Sequence, residues 1–126
     1  MQAEEMLFFD GHRDAWPLYM ALRPKILALG EAITVEVKKT QISFKNRHLF
    51  AAVSFLPVRK AAKRPKAYIT VTIGLPHPLT SPRIDAQSEP YPNRWTHHIT
   101  IGDADEIDEE LMAWIGEAAA FASAKR

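Results

Sequence analysis

Apolar and polar residues alternate along most of the middle of the chain, which is the spacing of side chains on a β-strand. The alternating segments are residues 33–37, 42–45, 68–75 and 95–101, and residues 49–56 form a nearly continuous apolar run typical of a central strand. Most connections between these segments are short, which favours antiparallel neighbours. The pattern therefore predicts four or five antiparallel strands.

Helical spacing of apolar residues replaces this alternation before the first strand. Residues 1–10 are predicted to form one short helix that Gly11 ends, because glycine takes a positive φ without strain. The buried side of this helix is predicted to be Met6, Leu7 and Phe9. A second helix is predicted over residues 15–29, with Asp14 as its N-cap. Pro24 should bend it, because proline cannot donate a backbone hydrogen bond inside a helix.

The strongest helical pattern closes the chain, at about residues 104–124. Asp103 or Asp105 is predicted to cap this helix, and Lys125 and Arg126 follow its end, an order that complements the helix dipole. Its apolar stripe consists of Ile107, Leu111, Trp114, Ile115, Ala118, Phe121 and Ala122. The predicted core combines Leu111, Trp114 and Ile115 with the strand residues Val53, Val71, Ile73, Ile99 and Ile101.

A length of 126 residues and an apolar content of 47% fit one folded domain over residues 1–126. The predicted fold is α+β: helices at about residues 3–29 and 104–124 pack on one face of an antiparallel meander at about 33–101. The other face should be polar and solvated. Its predicted members are Gln41, Ser43, Lys45, Tyr68, Thr70, Thr72, Thr96, His98 and Thr100.

The net charge of +1 hides an uneven distribution of charge. Residues 38–66 contain nine Lys or Arg and no Asp or Glu, whereas residues 1–37 carry three basic and six acidic residues. Residues 67–126 carry four basic and nine acidic residues. A basic segment between acidic flanks indicates an anionic partner.

This basic segment predicts a non-catalytic binding module for nucleic acid or another polyanion. The candidate binding residues are Lys45, Arg47, Arg59, Lys60, Lys63, Arg64, Lys66, Tyr68 and His98. Among them, Tyr68 is placed to stack on an unpaired base. An acidic protein or a second copy of the chain would satisfy the same charges, as would plain solvent around a loop that keeps sheet edges from pairing.

The alternative is a protein-interaction or small-ligand-sensing domain that uses the threonine-rich sheet face around His98. Residues 76–93 carry five of the nine Pro and are predicted to form a long irregular loop. Long loops in small domains are commonly functional, so this loop is a candidate cover for that face. The sequence leaves both interpretations open.

Catalytic and metal-binding chemistry has little support in the sequence. There is no Cys, no glycine-rich phosphate loop and no serine in a nucleophile turn. His97 and His98 are consecutive on a predicted strand and point to opposite faces, so His97 is expected in the core. No cofactor is predicted. No apolar run has the length of a signal peptide or membrane span, which favours a cytoplasmic protein without a membrane partner.

Three segments resemble an uncharacterised bacterial family, number 5655 in the series of domains of unknown function. They read LYMALRPKILALG at residues 18–30, KKTQISFKNRHLFA at 38–51 and RWTHHITIGDADEIDEELMAWI at 94–115. Some members of this family carry the label "predicted transport protein". The resemblance implies the α+β layout and brings no catalytic residues. Pro24 and the basic insert at residues 59–66 depart from the family pattern.

Overall fold

The alternation along the middle of the chain produces one open sheet in the computed structural model, which describes residues 2–125. The strands are β1 Thr34–Val37, β2 Ile42–Lys45, β3 Leu49–Ser54, β4 Ile69–Leu75, β5 Ala86–Tyr91 and β6 Arg94–Ile101. All neighbouring strands are antiparallel, in the spatial order β1-β2-β3-β4-β6-β5. The helices are α1 Gln2–Phe8, α2 Trp16–Leu27 and α3 Glu109–Ala124. The predicted α+β class is confirmed; the predictions for Met1 and Arg126 lie outside the described residues.

Cross-strand register determines which side chains form the core. Ile42, Val53, Val71 and Ile99 lie opposite one another on four adjacent strands, and each is at most 1% exposed. Helix α3 packs against β3 and β4 and buries Leu111 completely. Since each fully buried large side chain stabilises the fold by about 1.5–3 kcal/mol, this face is a principal source of stability.

The sixth strand, β5, lies where the sequence predicted only an irregular loop. Its residues pair with β6, Ala86 opposite His98 and Ser88 opposite Thr96, before a bulge shifts the register. The segment has no apolar alternation because it forms an exposed sheet edge, where Pro90 does not interrupt a central ladder. Asn93 takes a φ of 61° in the turn to β6, a conformation that asparagine tolerates.

Two predictions for the N-terminal helices are wrong. Met6 and Leu7 are 58% and 73% exposed, and the buried residues of this segment are Glu5 and Phe9. Asp14 is not an N-cap, because it lies inside a short 3₁₀ turn that precedes α2. Gly11 ends the first segment with a φ of 87°, as predicted, and α2 continues through Pro24 to Leu27.

The C-terminal helix begins later than predicted. Asp103 caps a 3₁₀ turn at Ala104–Glu106, and Asp108 caps α3 itself by accepting the Leu111 backbone N–H at 3.0 Å. Two acidic residues of this segment, Asp103 and Asp108, therefore cap two successive elements, a role that Asp commonly takes at helix N-termini. Trp114 is only half-buried, contrary to prediction, because it lies at the edge of the helix contact, where the Arg83 guanidinium covers its ring.

Candidate binding groove

The second face of the sheet is partly covered. Ser43, Thr70 and Thr100 are at most 1% exposed, so the prediction of a solvated face is wrong at these positions. Part of the cover is the connection between β3 and β4, which folds back over this face. Its anchor is the hydroxyl of Thr70, which donates to the Leu56 carbonyl at 2.6 Å.

An ion pair holds the same connection against β6. Arg59 Nε donates to Asp85 Oδ1 at 2.8 Å, and Asp85 Oδ2 accepts the Thr100 backbone N–H at 2.7 Å. The Arg59 and Asp85 side chains are 28% and 11% exposed. The Tyr68 hydroxyl is also engaged, donating to the Phe55 carbonyl at 2.8 Å. Arg59 would have to leave an internal contact before its charge could meet a polyanion.

Helix α1 is fixed by a buried carboxylate. Glu5 is fully buried and accepts hydrogen bonds from the Tyr19 hydroxyl and, at 2.8 Å, from Arg23 Nε, both on α2. Burial and the neighbouring Glu5 carboxylate raise the pKa of Tyr19, so the phenol remains protonated. Seven residues are too few for a stable isolated helix, so this contact and the burial of Phe9 hold α1 in place.

Aromatic stacking joins the α1 end of the molecule to the end of β3. The Phe8 ring stacks on Phe55 with centroids 5.3 Å apart, and the His12 ring stacks on the same Phe55 at 3.8 Å. These contacts make α1 and the turn after it a wall that stands beside the polar sheet face.

A groove of about 650 Å³ runs between this wall and the sheet. Its sheet side is formed by Gln41, Ser54, Thr72 and His98, its apolar side by Leu7, Phe8, Phe55 and Leu56, and its rim by Asp10, His12, Lys39 and Thr40. This size lies within the range of small-molecule sites, which combine apolar walls with polar groups that orient a ligand.

Several hydrogen-bond donors in the groove have no partner in the part of the chain that the structure describes. Ser54 Oγ accepts the Leu56 backbone N–H at 3.2 Å, which leaves its own hydrogen free to donate. Lys39 forms no ion pair within residues 2–125. Gln41, by contrast, donates to Ser43 Oγ at 2.8 Å. The groove therefore offers donors that a bound molecule can satisfy.

His98 is the titratable group on the sheet side of the groove. Its Nδ1 lies 2.8 Å from Thr72 Oγ1, and Nε2 has no partner among the described residues. Burial lowers the pKa of His98, so the ring is neutral near pH 7. The contact with Thr72 fixes the ring and leaves Nε2 available to a ligand.

His97 lies in the core, as predicted. It is fully buried on the opposite face from His98, and its Nε2 donates to the His77 carbonyl at 3.2 Å. Burial lowers the pKa of His97, which keeps the ring neutral. Among residues 2–125, no three His, Asp or Glu side chains are grouped in a way that would hold a metal ion.

The basic residues predicted to bind a polyanion form two separate groups. Lys60, Lys63 and Lys66 are exposed on the β3–β4 connection, and Arg64 is half-buried there. Lys45 and Arg47 lie at the β2–β3 turn, which is the opposite end of β3. A strand of this length places the two groups about 20 Å apart. The structure thus does not combine them into one patch.

Sequence reasoning identified part of the groove and missed the rest. Gln41, Thr72 and His98 were placed on the correct face by strand alternation alone. Lys39 was counted only as one of the basic residues, and Ser54 as one serine among several. No feature of the sequence indicated that α1 lines the groove. Leu7 occupies an apolar position in a helical pattern and was therefore predicted to be buried.

The family model for a domain of unknown function (DUF5655) matches residues 4–122. The chain therefore belongs to this family, as its three resembling segments suggested. The match includes most of α1, the whole sheet and almost all of α3, so the groove lies within the family domain. No curated protein and no solved structure matches the chain. None of the helices within residues 2–125 has the length and apolar character needed to cross a membrane.

Proposed function

We propose that this domain is a binding module that holds a small molecule in the groove between α1 and the sheet. One observation carries the proposal: the groove combines free donors on Lys39 and Ser54 and the free Nε2 of His98 with an apolar wall. Lys39 is exposed and Ser54 and His98 are half-buried, so water can reach these groups in the empty groove and a ligand can take its place. A ligand that satisfies them explains their presence.

The apolar wall supports the same interpretation. Leu7 and Leu56 are 73% and 47% exposed and both line the groove. Large apolar side chains grouped around a concave surface are a common feature of binding sites, whereas isolated ones are ordinary. The buried anchor at Glu5 maintains this wall without filling the groove, since Glu5 faces Tyr19 and Arg23.

A screen of small fragments by two-dimensional NMR of the ¹⁵N-labelled protein tests the proposal. Binding in the groove should shift the amide signals of Ser54, Thr72 and His98 together. Replacing Ser54 by Trp should fill the groove and abolish these shifts, whereas Ser88→Trp on the exposed edge strand β5 should leave them unchanged. Fragments that bind with no shift in the groove, or equally well to Ser54→Trp, would contradict the proposal.

A second candidate function is polyanion binding by the β3–β4 connection. The observation that favours it is that Lys60, Lys63, Arg64 and Lys66 form no ion pair within the described residues. An acidic protein surface, including that of a second copy of the chain, would suit the same charges. Arg59 is not part of this candidate site as it stands, because Asp85 neutralises it.

Salt dependence distinguishes this second function. If the four cations each neutralise one phosphate of a duplex, the log–log slope of affinity against salt should be about −3.6. Raising the salt concentration fourfold should then weaken binding by roughly two decades, measured by fluorescence anisotropy. Replacing all four by Glu should abolish the binding, while Lys45→Glu with Arg47→Glu, at the other end of the sheet, should have a smaller effect. Absence of salt-dependent binding to the duplex in dilute buffer would exclude polyanion binding by the β3–β4 connection.

A further inference from the structure

We propose that the groove takes an amphipathic carboxylate, with the anionic head at Lys39, Ser54 and His98 and the apolar chain along Leu7 and Leu56. We further infer that His98 takes up a proton when the carboxylate binds. This inference rests on the proposed function, because it specifies the ligand class of the same groove.

Two free polar groups beside His98, on Lys39 and Ser54, are donors. Lys39 Nζ can only donate, and the Ser54 hydroxyl already accepts a backbone N–H and retains a hydrogen to donate. A carboxylate only accepts hydrogen bonds, and its bonds to charged donors are about twice as strong as neutral ones. A neutral amide would bring two N–H donors beside the Lys39 ammonium, which has no acceptor to offer them. The donors on Lys39 and Ser54 thus favour an anion.

The charges around His98 also favour an anion. The charged or titratable groups that line the groove with His98 are Asp10 and His12 from the turn after α1 and Lys39 from the β1–β2 turn. Asp10 is the one acid among them, and it lies 3.7 Å from Arg13. Next to His98 in the sheet, Thr72 and Ala86 carry no charge. Asp85, whose backbone N–H donates to the His98 carbonyl, is paired with Arg59.

The apolar side of the groove requires that the anion carry a hydrocarbon chain. Leu7 and Leu56 expose large aliphatic surfaces, and the stacked rings of Phe8 and Phe55 lie between α1 and the end of β3. Each buried CH₂ of a ligand contributes a similar increment of affinity, so binding should strengthen with chain length until the groove is filled. The two oxygens of one carboxylate can accept from one lysine and one imidazolium.

Proton uptake follows from the position of His98. Burial lowers the pKa of His98 in the empty groove, whereas a carboxylate beside the free Nε2 would favour the charged form. Thr72 Oγ1 can accept from Nδ1 of an imidazolium as readily as it can donate to a neutral ring, so the existing contact persists. By linkage, the affinity must rise as pH falls through the range in which His98 titrates, up to about tenfold per pH unit for one proton.

Calorimetric titration with octanoate, octanamide and octylamine tests the proposal, since the three probes share a chain and differ in head-group charge. Near about pH 6, where an imidazole is readily protonated, octanoate should bind about tenfold more tightly than octanamide, and octylamine least tightly. The heat of octanoate binding should vary with the ionisation heat of the buffer, which shows proton uptake in the wild-type protein without reliance on any variant.

Two pairs of variants locate the effect. His98→Gln should remove the pH dependence and reduce the preference for octanoate over octanamide, while His77→Gln, outside the groove and in contact with Glu117, should retain both. Lys39→Met should weaken octanoate by part of that tenfold preference and leave octanamide unchanged. The matched variant Lys60→Met, outside the groove, should alter neither.

Several results would contradict this inference without contradicting the proposed function. Equal affinity for octanoate and octanamide, tighter binding of octylamine, or octanoate binding without proton uptake would each reject the amphipathic carboxylate. Failure of all three probes to bind would reject it as well, and fragments that still shifted Ser54, Thr72 and His98 would then keep the groove as a site for another ligand class. Failure of the probes and of every groove fragment would reject both.

Discussion

The two faces of the sheet differ in what their side chains contact. On the α3 face, Val71 and Leu111 are fully buried and Ile99 is 1% exposed, so almost every position contributes apolar packing. On the groove face, Thr72 and His98 are half-buried and keep polar atoms towards an open concavity. One face thus provides stability, and the other holds the polar groups that line the groove. Substitutions on the two faces should therefore change different quantities.

The largest effect on stability is expected on the α3 face. Leu111→Ala should lower the free energy of unfolding by about 2–5 kcal/mol, through lost transfer energy and a residual cavity. The matched variant Leu7→Ala, in the groove wall and 73% exposed, should change it by less than about 0.5 kcal/mol. Urea unfolding of both proteins measures the difference. A cost for Leu111→Ala near that of Leu7→Ala would show that α3 is not packed on the sheet.

The next largest effect is expected at the anchor of the groove wall. Glu5→Ala leaves Arg23 and Tyr19 without their shared acceptor and should cost about 3 kcal/mol, since Glu5 is fully buried. Glu4→Ala, one position earlier on an exposed surface, should cost less than about 0.5 kcal/mol. Loss of α1 should also separate His12 from Phe55, visible as a change in the His12 ring signals. Equal stability of the two variants would mean that the buried carboxylate does not fix α1.

A smaller effect is expected at the N-terminus of α3. Asp108→Ala removes the side chain that caps the Leu111 backbone N–H and should cost about 1 kcal/mol. Glu109→Ala, the next residue along and not a cap, serves as the matched control. Thermal or urea unfolding measures both. A loss in Glu109→Ala as large as that in Asp108→Ala would attribute the effect to helix charge and not to the cap.

The smallest effect is a dependence of stability on pH. Contacts with the Pro78 carbonyl and the Glu117 carboxylate raise the pKa of His77, so its contribution is complete below its unfolded pKa of about 6.5 and is lost as pH rises through the folded value. Burial lowers the pKa of His97, so its contribution is present above about pH 6.5 and is lost as pH falls.

Stability should accordingly be greatest near neutral pH. Urea midpoints measured across the range should fall on both sides, and His77→Gln should remove the decline that His77 causes on the alkaline side. His12→Gln should retain the alkaline decline, because the His12 ring stacks on Phe55 and has no acidic partner among the described residues. A decline of unchanged size in His77→Gln would assign it to another group.

Alternation and capping chemistry were sufficient to predict most of the fold. Five strands, both long helices and the opposite orientations of His97 and His98 follow from local spacing, because each of these elements packs one apolar side into the core. The strand β5 was missed because an exposed edge imposes no apolar pattern. Met6 and Leu7 were misplaced because helical periodicity does not reveal which side of a short helix faces the core.

The groove was less predictable because it depends on contacts between distant residues. Lys39, Ser54 and His98 come from three separate segments, and the Glu5 anchor joins residues 14 and 18 positions apart in sequence. The basic segment looked continuous in sequence, yet the intervening strand β3 places Lys45 and Arg47 at the opposite end of the sheet from Lys60 and Lys63. A count of charges along the sequence does not show how far apart the charged residues lie in the folded chain.

A crystal structure of the protein with its tightest-binding small molecule tests the central claim most directly. We expect the ligand between Leu7 and His98, with a polar atom within hydrogen-bond distance of His98 Nε2 or Ser54 Oγ. The groove residues Thr72 and Leu56 should lose exposure, while the α3 face should be unchanged. The assignment of the groove as the binding site would be contradicted by a ligand bound elsewhere with the groove empty. Two other concavities could hold it, one beside Arg59 and Lys60 and one against Arg94 and Phe121.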